Sequence, residues 1–132
     1  MFRTNNTDGI IDTDILIHAS KQNEDAVTFL TMQQHVGIQI SIISAIELVV
    51  GCRNKTELSQ TQKFLEGCAI LPITATASEV AYQLIETFAL SHGLLMGDAL
   101  IAATVLERDA TLYTKNTRHF QMIPRLAIIR PY

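Results

Sequence analysis

The sequence has few of the residues that stabilise small secreted or metal-stapled proteins. Its two cysteines, Cys52 and Cys68, form no C-x-x-C motif and have no histidine pair nearby, so neither a zinc site nor a disulfide framework is predicted. We expect two buried thiols in a reducing compartment. The opening MFRTNNTDG has no apolar signal core, and Asp98 interrupts the most apolar stretch, residues 94–106. We therefore expect a cytoplasmic protein that does not associate with membranes.

Charged side chains are also scarce. They make up 17% of the chain, whereas 48% of its residues are hydrophobic, a balance that favours a folded core over disorder. The 132 residues suit one domain, which we expect to span residues 1–132. The net charge of −3 provides no overall attraction to nucleic acid. A protein of this composition that acts on RNA would need locally clustered arginine and lysine.

Short apolar runs alternate with segments of helical character. The predicted strands are residues 9–11, 38–43, 69–73, 111–114 and 126–129. The predicted helices are residues 15–19, 24–34, 45–51, 57–66, 78–92 and 98–107. This alternation is typical of right-handed crossovers between parallel strands. We expect an α/β fold, a three-layer α/β/α sandwich with a mainly parallel sheet of four or five strands.

Acidic residues occur where predicted strands end and predicted helices begin. Asp12 follows the first strand, Glu47 lies in the first turn of the helix after the second strand, and Asp98 opens the sixth helix. Open α/β proteins bind ligands at the carboxyl edge of the sheet, so Asp12 and Glu47 should share one rim. Asp98 reaches that rim only if a helical hairpin returns the start of its helix. Asn116 follows the fourth strand, and Asp14 lies two residues after Asp12.

Each of these acids also has a structural explanation. Ser44 and Glu47 have capping-box spacing, with Ser44 as the N-cap. Asp98 could cap its helix or lie in the first turn, and Asp14 or Thr13 could cap the first helix. Taken together, however, carboxylates on one rim would repel each other unless a cation lay between them. The joint pattern therefore favours a site for Mg²⁺ or Mn²⁺, which prefer oxygen ligands.

Four segments carry a family resemblance that covers nearly the whole chain: IIDTDILIH, SIISAIELVVG, GDALIAATVLE and LYTKNTRHF. In this order they resemble the motifs of the PIN-domain family, in particular its VapC-type ribonuclease toxins of type II toxin–antitoxin systems. The resemblance implies that Asp12, Glu47 and Asp98 are catalytic metal ligands, with Asn116 at the variable fourth position. It further implies Mg²⁺ or Mn²⁺ as cofactor and hydrolysis of RNA phosphodiester bonds by a metal-activated water.

The resemblance also implies partners. Such toxins pair with an antitoxin whose C-terminal segment blocks the acidic pocket, and they commonly form homodimers through helices. Arg53, Lys115 and Arg118 are candidates for RNA binding because they lie near the ends of elements that should face the site. Solvated surface charge is an equally good explanation of each. His119, beside the fourth motif, is interpreted as a structural histidine.

Two other functions are compatible with parts of the pattern. Asp12 and Asp14, two residues apart after an apolar run, match the nucleophile and acid of a haloacid-dehalogenase-type phosphatase. That family needs a further acid after Asp98, where Ala102 and Ala103 stand instead. The second alternative is a non-catalytic RNA-binding or protein-interaction module, which would be expected to lose acids that are all present here.

Overall fold

The structure, a computed structural model, describes residues 9–132. Its strands are β1 (Gly9–Ile11), β2 (Ile38–Ser41), β3 (Cys68–Leu71), β4 (Thr111–Tyr113) and β5 (Ala127–Ile129). Its α-helices are α1 (Thr13–Ser20), α2 (Glu24–Gln33), α3 (Ile42–Val50), α4 (Lys55–Glu66), α5 (Ala75–His92) and α6 (Met96–Glu107). A short 3-10 helix, Thr117–His119, follows β4. Each predicted strand and helix is present.

All strand pairs in the described region are parallel. β1 pairs with β4 and β4 with β5, and β2 pairs separately with β3. β1 and β2 lie side by side, and the Gln39 side-chain amide donates a hydrogen bond to the Gly9 carbonyl oxygen at 3.3 Å. β1 is therefore central, between β2 and β4.

Successive residues of a strand point to opposite faces, and two cores follow from this alternation. Ile10 and Leu112 are fully buried on one face against α5 and α6. Ile11 packs on the other face with residues of α1, α2 and β2, among them Ile15 and Ile40. Helices thus cover both faces, which confirms the predicted α/β/α sandwich.

Polar side chains set the start of each of the first five helices. The N-cap residues whose side chains accept a hydrogen bond from an early helix N–H are Asp12, Asn23, Ser41, Asn54 and Thr74. The prediction of Ser44 as the N-cap of α3 is wrong, because Ser41 caps the helix and β2 ends there, two residues earlier than predicted. The hydroxyl of Ser41, the last residue of β2, accepts the Ile43 N–H, which is one of the first N–H groups of the helix without a partner within it.

The helical hairpin of α5 and α6 places the start of α6 at the carboxyl edge of the sheet. Gly93 ends α5 in the left-handed conformation, with φ of 69°, and the N–H of Leu94 donates to the Phe88 carbonyl. The helix α6 begins at Met96 after Leu95, which has no capping side chain, so Asp98 is a first-turn acid and not the N-cap. The C-terminal end of α6 leads into the start of β4. The first turn of α6 therefore lies near the other end of β4, at the carboxyl edge of the sheet.

The thiols and the membrane prediction can also be compared with the structure. Cys52 and Cys68 are free and half-buried, so the expectation that both are fully buried is wrong. Burial nonetheless raises the pKa of the Cys68 thiol. Across residues 9–132, no helix combines the length and apolar character needed to cross a membrane.

Gly9 on β1 is expected to be intolerant of a side chain. A Cβ there would lie 2.1 Å from Cε2 of Tyr113, and that ring is held edge-on by Phe29 at 5.2 Å between centroids. We expect Gly9→Ala to lower the free energy of unfolding by about 1–3 kcal/mol, the usual range for overpacking, in urea denaturation. Gly67→Ala is the matched control, since its nearest neighbour would be at 3.6 Å. Equal stability of the two variants would contradict this packing.

Candidate functional site

Asp12 lies at the centre of the carboxyl edge. Its main-chain N–H donates to the Tyr113 carbonyl at 2.9 Å, which extends the β1–β4 ladder by one step. Its Oδ1 accepts the Thr13 N–H at 2.8 Å, and its Oδ2 accepts the Thr114 hydroxyl at 2.8 Å. The side chain is buried, with 4% of Asp12 exposed. The same carboxylate therefore caps α1 and joins it to the end of β4.

Glu47 reaches this edge from the second turn of α3, so the prediction that it lies in the first turn is wrong, because the helix already begins at Ile42. Its Oε1 lies 2.6 Å from the Thr13 hydroxyl, which is also 2.8 Å from the Ser44 hydroxyl. Because a hydroxyl carries one proton, Thr13 donates it to the carboxylate and accepts from Ser44. Ser44 is fully buried. The predicted capping-box role of Glu47 is thus wrong, since its carboxylate binds α1 instead of the start of its own helix.

Asp98 approaches from the third side, in the first turn of α6. Its Oδ2 lies 3.3 Å from Nδ1 of His119 on the 3-10 helix. The neighbouring residue Gly97 allows α6 to come close to α3, because a Cβ at this position would lie 3.1 Å from Oε2 of Glu47. The structure therefore brings Asp12, Glu47 and Asp98 to one edge from three separate elements.

Asp14 and Asn116 lie at the same edge. Oδ2 of Asp14 accepts the Lys115 N–H at 2.9 Å and lies 3.4 Å from the Thr114 hydroxyl. The Asn116 N–H donates to the Thr114 hydroxyl oxygen at 3.0 Å, while its exposed side chain does not cap the 3-10 helix. The segment after β4 is therefore hydrogen-bonded to Asp12, the N-cap of α1, and to Asp14 within α1.

Burial and neighbouring charges raise the pKa values of two of these acids, Asp12 and Asp98. Burial, followed by the charge of Asp14, raises the pKa of Asp12 to about 7, against hydrogen bonds from Thr114 and Thr13 that lower it. Burial also raises the pKa of Asp98, and the charges of Glu47 and Asp14 add to this effect while His119 opposes it. The edge is consequently a pocket of negative potential.

The basic residues predicted to bind RNA have different surroundings. Arg53 pairs with Glu57 at 2.8 Å and is 84% exposed. Arg118 is exposed on the 3-10 helix. The Lys115 ammonium is held by Tyr132, at 2.8 Å from its main-chain oxygen. Lys115 and Arg118 thus lie on the segment after β4, which contacts the acids through the Lys115 N–H and through His119.

The donor set suits a hard divalent cation. Among residues 9–132, no three His, Cys, Asp or Glu side chains are close enough to hold one ion in the arrangement shown. Mg²⁺, however, typically binds one or two carboxylates and keeps several waters. Carboxylates that repel each other stand apart until a cation lies between them. Their carboxylate oxygens are the donors that Mg²⁺ and Mn²⁺ prefer.

A groove of about 790 Å³ runs along α1, α3 and α4, and Glu47 is the acid of the sheet edge that lines it. Its floor includes Leu16, Leu48 and Phe64, and Glu47 and Arg53 also line it. Phe64 also packs against the second core, as do Phe29 and Leu65, while Leu30 is buried within it. These apolar residues therefore serve in core packing, and Leu30 and Phe64 line the groove as well.

Sequence reasoning missed the hydroxyls that hold the acids. The sequence predicts Thr13 and Ser44 only as helix caps, and Thr114 only as the last residue of a strand. A signal for them is present in the chain, because Thr13 adjoins Asp12 and Ser44 stands one helical turn before Glu47. Their pairing across 31 residues, however, depends on the packing of α1 on α3.

Comparison with known proteins agrees with this geometry. The PIN domain family model matches residues 10–126. Ribonuclease VapC19 of Mycobacterium tuberculosis is 31% identical over 120 residues, covering 89% of this chain and 95% of the relative. Ribonuclease VapC10 of the same organism is 30% identical over 119 residues, 89% of each protein. A chain of the toxin–antitoxin complex from Klebsiella pneumoniae superimposes with a TM-score of 0.77 at 28% identity, covering 94% of this chain and 98% of that one.

The fold and the edge define an α/β/α protein with an acidic pocket at the end of a parallel sheet. The chain belongs to the PIN-domain family, which confirms the resemblance seen in its four motifs. The match includes Asp12 and Asp14, so it replaces the haloacid-dehalogenase-type alternative.

Removal of the buried charge at Asp12 is expected to stabilise the metal-free protein. With a pKa near 7 in the folded state, against 3.8 ordinarily, Asp12 binds a proton more tightly when folded. Folding stability should therefore fall as pH rises from about 4 to about 7, and stay lower above that range. Asp12→Asn should flatten this dependence and raise the free energy of unfolding at pH 8 by on the order of 1 kcal/mol.

The measurement is urea denaturation in chelator across that pH range. Asp109→Asn is the control, because Asp109 is exposed in the turn after α6, away from the pocket. An Asp12→Asn variant that is less stable than wild type at pH 8 would show that the hydrogen bonds to the carboxylate outweigh its burial and repulsion.

Proposed function

We propose that this protein is a metal-dependent endoribonuclease and the toxin of a toxin–antitoxin pair. The observation that carries the proposal is the convergence of Asp12, Glu47 and Asp98 from three elements on one sheet edge. The similarity to ribonucleases along 89% of the chain supports RNA as the substrate.

In this proposal, Asp12, Glu47 and Asp98 hold Mg²⁺ or Mn²⁺, and Asn116 offers an amide oxygen beside them. The cation, when bound, polarises the phosphodiester, lowers the pKa of the attacking water and stabilises the leaving oxygen. Glu47 needs a defined orientation for this task, which the Thr13 and Ser44 hydroxyls provide. Supporting hydrogen bonds of this kind orient metal ligands in many proteins.

The hydroxyl of Thr114 does the same for Asp12. It donates to Oδ2 of Asp12, so the carboxylate keeps one orientation although it is buried. Its oxygen in turn accepts the Asn116 N–H, which places the Asn116 backbone next to the acid. The end of β4 thereby sets two of the proposed donors relative to each other.

Substrate binding requires cations, because the pocket itself repels phosphates. Lys115 and Arg118 lie on the segment after β4, where the Lys115 N–H binds Asp14 and His119, the residue after Arg118, contacts Asp98. In this proposal both cations bind the RNA backbone near the scissile phosphate. Arg53 is farther along the groove and is paired with Glu57, so it contributes less to this binding.

The groove along α1, α3 and α4 suits the antitoxin. It has an apolar floor for a helix or an extended segment, and Glu47 lies at its wall. A basic side chain of the antitoxin that entered from the groove would neutralise the carboxylates and displace the cation. The similar structure from Klebsiella pneumoniae is of a toxin–antitoxin complex, which supports such a partner.

We further propose that two copies associate through α3 and the start of α6. Ile46 and Val50 stand one helical turn apart and are 51% and 78% exposed, and Leu95 and Met96 are 63% and 73% exposed nearby. Exposed apolar groups on adjoining elements are typical of subunit interfaces.

Val50→Asp should therefore shift the protein from dimer to monomer in analytical ultracentrifugation, since it would bury a charge in that interface. Met32→Asp is the control, because Met32 is 64% exposed on α2. A wild-type protein that sediments as a monomer would contradict this part of the proposal.

The nuclease is tested by RNA cleavage with purified, antitoxin-free protein in Mg²⁺, Mn²⁺ or chelator. We expect cleavage only with metal, and a loss of at least about 100-fold in Asp98→Asn, because a charged ligand becomes neutral. Asp109→Asn is the matched control, with the same substitution just after the other end of α6.

Cleavage that survives both chelator and Asp98→Asn would contradict the assigned site. Metal-independent binding of RNA by wild type without any cleavage would favour the non-catalytic binding module.

A further inference from the structure

The Lys115 side chain is held in place although it stands at the rim of an acidic pocket. Its ammonium donates to the Tyr132 main-chain oxygen at 2.8 Å and lies 4.1 Å from the centre of the Tyr132 ring. An ammonium over the face of an aromatic ring is attracted by the ring quadrupole. A lysine has three N–H donors, so at least one of them stays available to a ligand.

Tyr132 is itself anchored to the second core. Its hydroxyl lies 3.3 Å from Nδ1 of His18 near the end of α1, and its ring stands 6.4 Å from that of Phe29 on α2. The Phe29 ring also packs on Tyr113, the last residue of β4. Tyr132 thus joins two helices to the strand that ends at the site.

The backbone of Lys115 belongs to the acidic pocket. Its N–H donates to Oδ2 of Asp14, and the preceding residue, Thr114, donates to Asp12. Burial, followed by the charges of Asp14 and Asp25, also raises the pKa of Tyr132. The lysine therefore has its backbone bound to Asp14 and its ammonium held by Tyr132.

We propose that Tyr132 is a positioning residue that holds the Lys115 ammonium beside the acidic pocket as a binding group for an RNA phosphate. The inference rests on the proposed ribonuclease function, and it assigns a task to a residue outside the four motifs. A free lysine loses side-chain entropy when it binds a phosphate, whereas one already held by Tyr132 has lost most of it. The net charge of −3 gives the chain no overall attraction to RNA. A cation already in place at this rim therefore has a large effect on the affinity for RNA.

The test is the affinity for a fluorescein-labelled single-stranded RNA of mixed sequence, measured by anisotropy at several salt concentrations. All proteins carry Asp98→Asn, so that binding is read without cleavage. We expect Lys115→Met to weaken binding and reduce the slope of log affinity against log salt by about 0.7, the value for one phosphate contact on a single strand. Tyr132→Leu, which keeps apolar bulk but removes the ring face, should weaken binding about 2- to 10-fold.

Coupling between the two residues separates positioning from general stability. In the Lys115→Met background, Tyr132→Leu should not weaken RNA binding further. In the parent protein with Lys115 intact, Tyr132→Phe keeps the ring and should bind RNA as the parent does. Lys63→Met and Tyr82→Leu are matched controls, since both side chains are exposed on other helices. Thermal denaturation of each variant shows whether it is folded.

Additive effects of Tyr132→Leu and Lys115→Met, or an unchanged salt slope in Lys115→Met, would overturn the inference. If Tyr132→Leu does not fold, the salt slope of Lys115→Met and the binding of Tyr132→Phe still decide it. Cleavage by the protein without Asp98→Asn separately tests the proposed function, so the two can fail independently.

Discussion

The carboxylate of Asp12 is the constraint on which this molecule depends. It caps α1, receives the Thr114 hydroxyl from the end of β4, and is almost fully buried. The cap is a local contact, whereas the bond from Thr114 joins residues 102 positions apart. Each is individually modest, but together they fix the orientation of a carboxylate at the end of β1. Glu47 and Asp98 are then placed relative to it by helices that pack on the two cores.

This arrangement has a cost in stability. Carboxylates that lie close together in a partly buried site destabilise the folded state unless a cation or protons compensate their charge. The raised pKa of Asp12, about 7, reflects this destabilisation of its charged form. Hydroxyls and main-chain N–H groups offset part of this cost, because they donate to the acids without adding charge. Such strain at an otherwise well-packed edge is typical of a functional site.

Much of the fold could be predicted because the physics involved is local. The alternation of apolar runs with amphipathic segments predicted every strand and helix within a few residues, and the parallel sheet followed from their order. The helix starts were less accurate, since Ser41 and Ser44 are both plausible caps and only the end of β2 decides between them. Thr74 and Asn54 likewise began α5 and α4 earlier than periodicity suggested.

The sequence by itself determined the α/β alternation, the carboxylates at strand ends, and the motifs of the PIN-domain family. These depend on neighbours along the chain, whose spacing is readable in the letters. Only the tertiary structure decided that Thr13 holds Glu47 and that Tyr132 holds Lys115. These bonds join residues that are far apart in the chain and lie on separate elements, so they form only when the helices pack on the sheet.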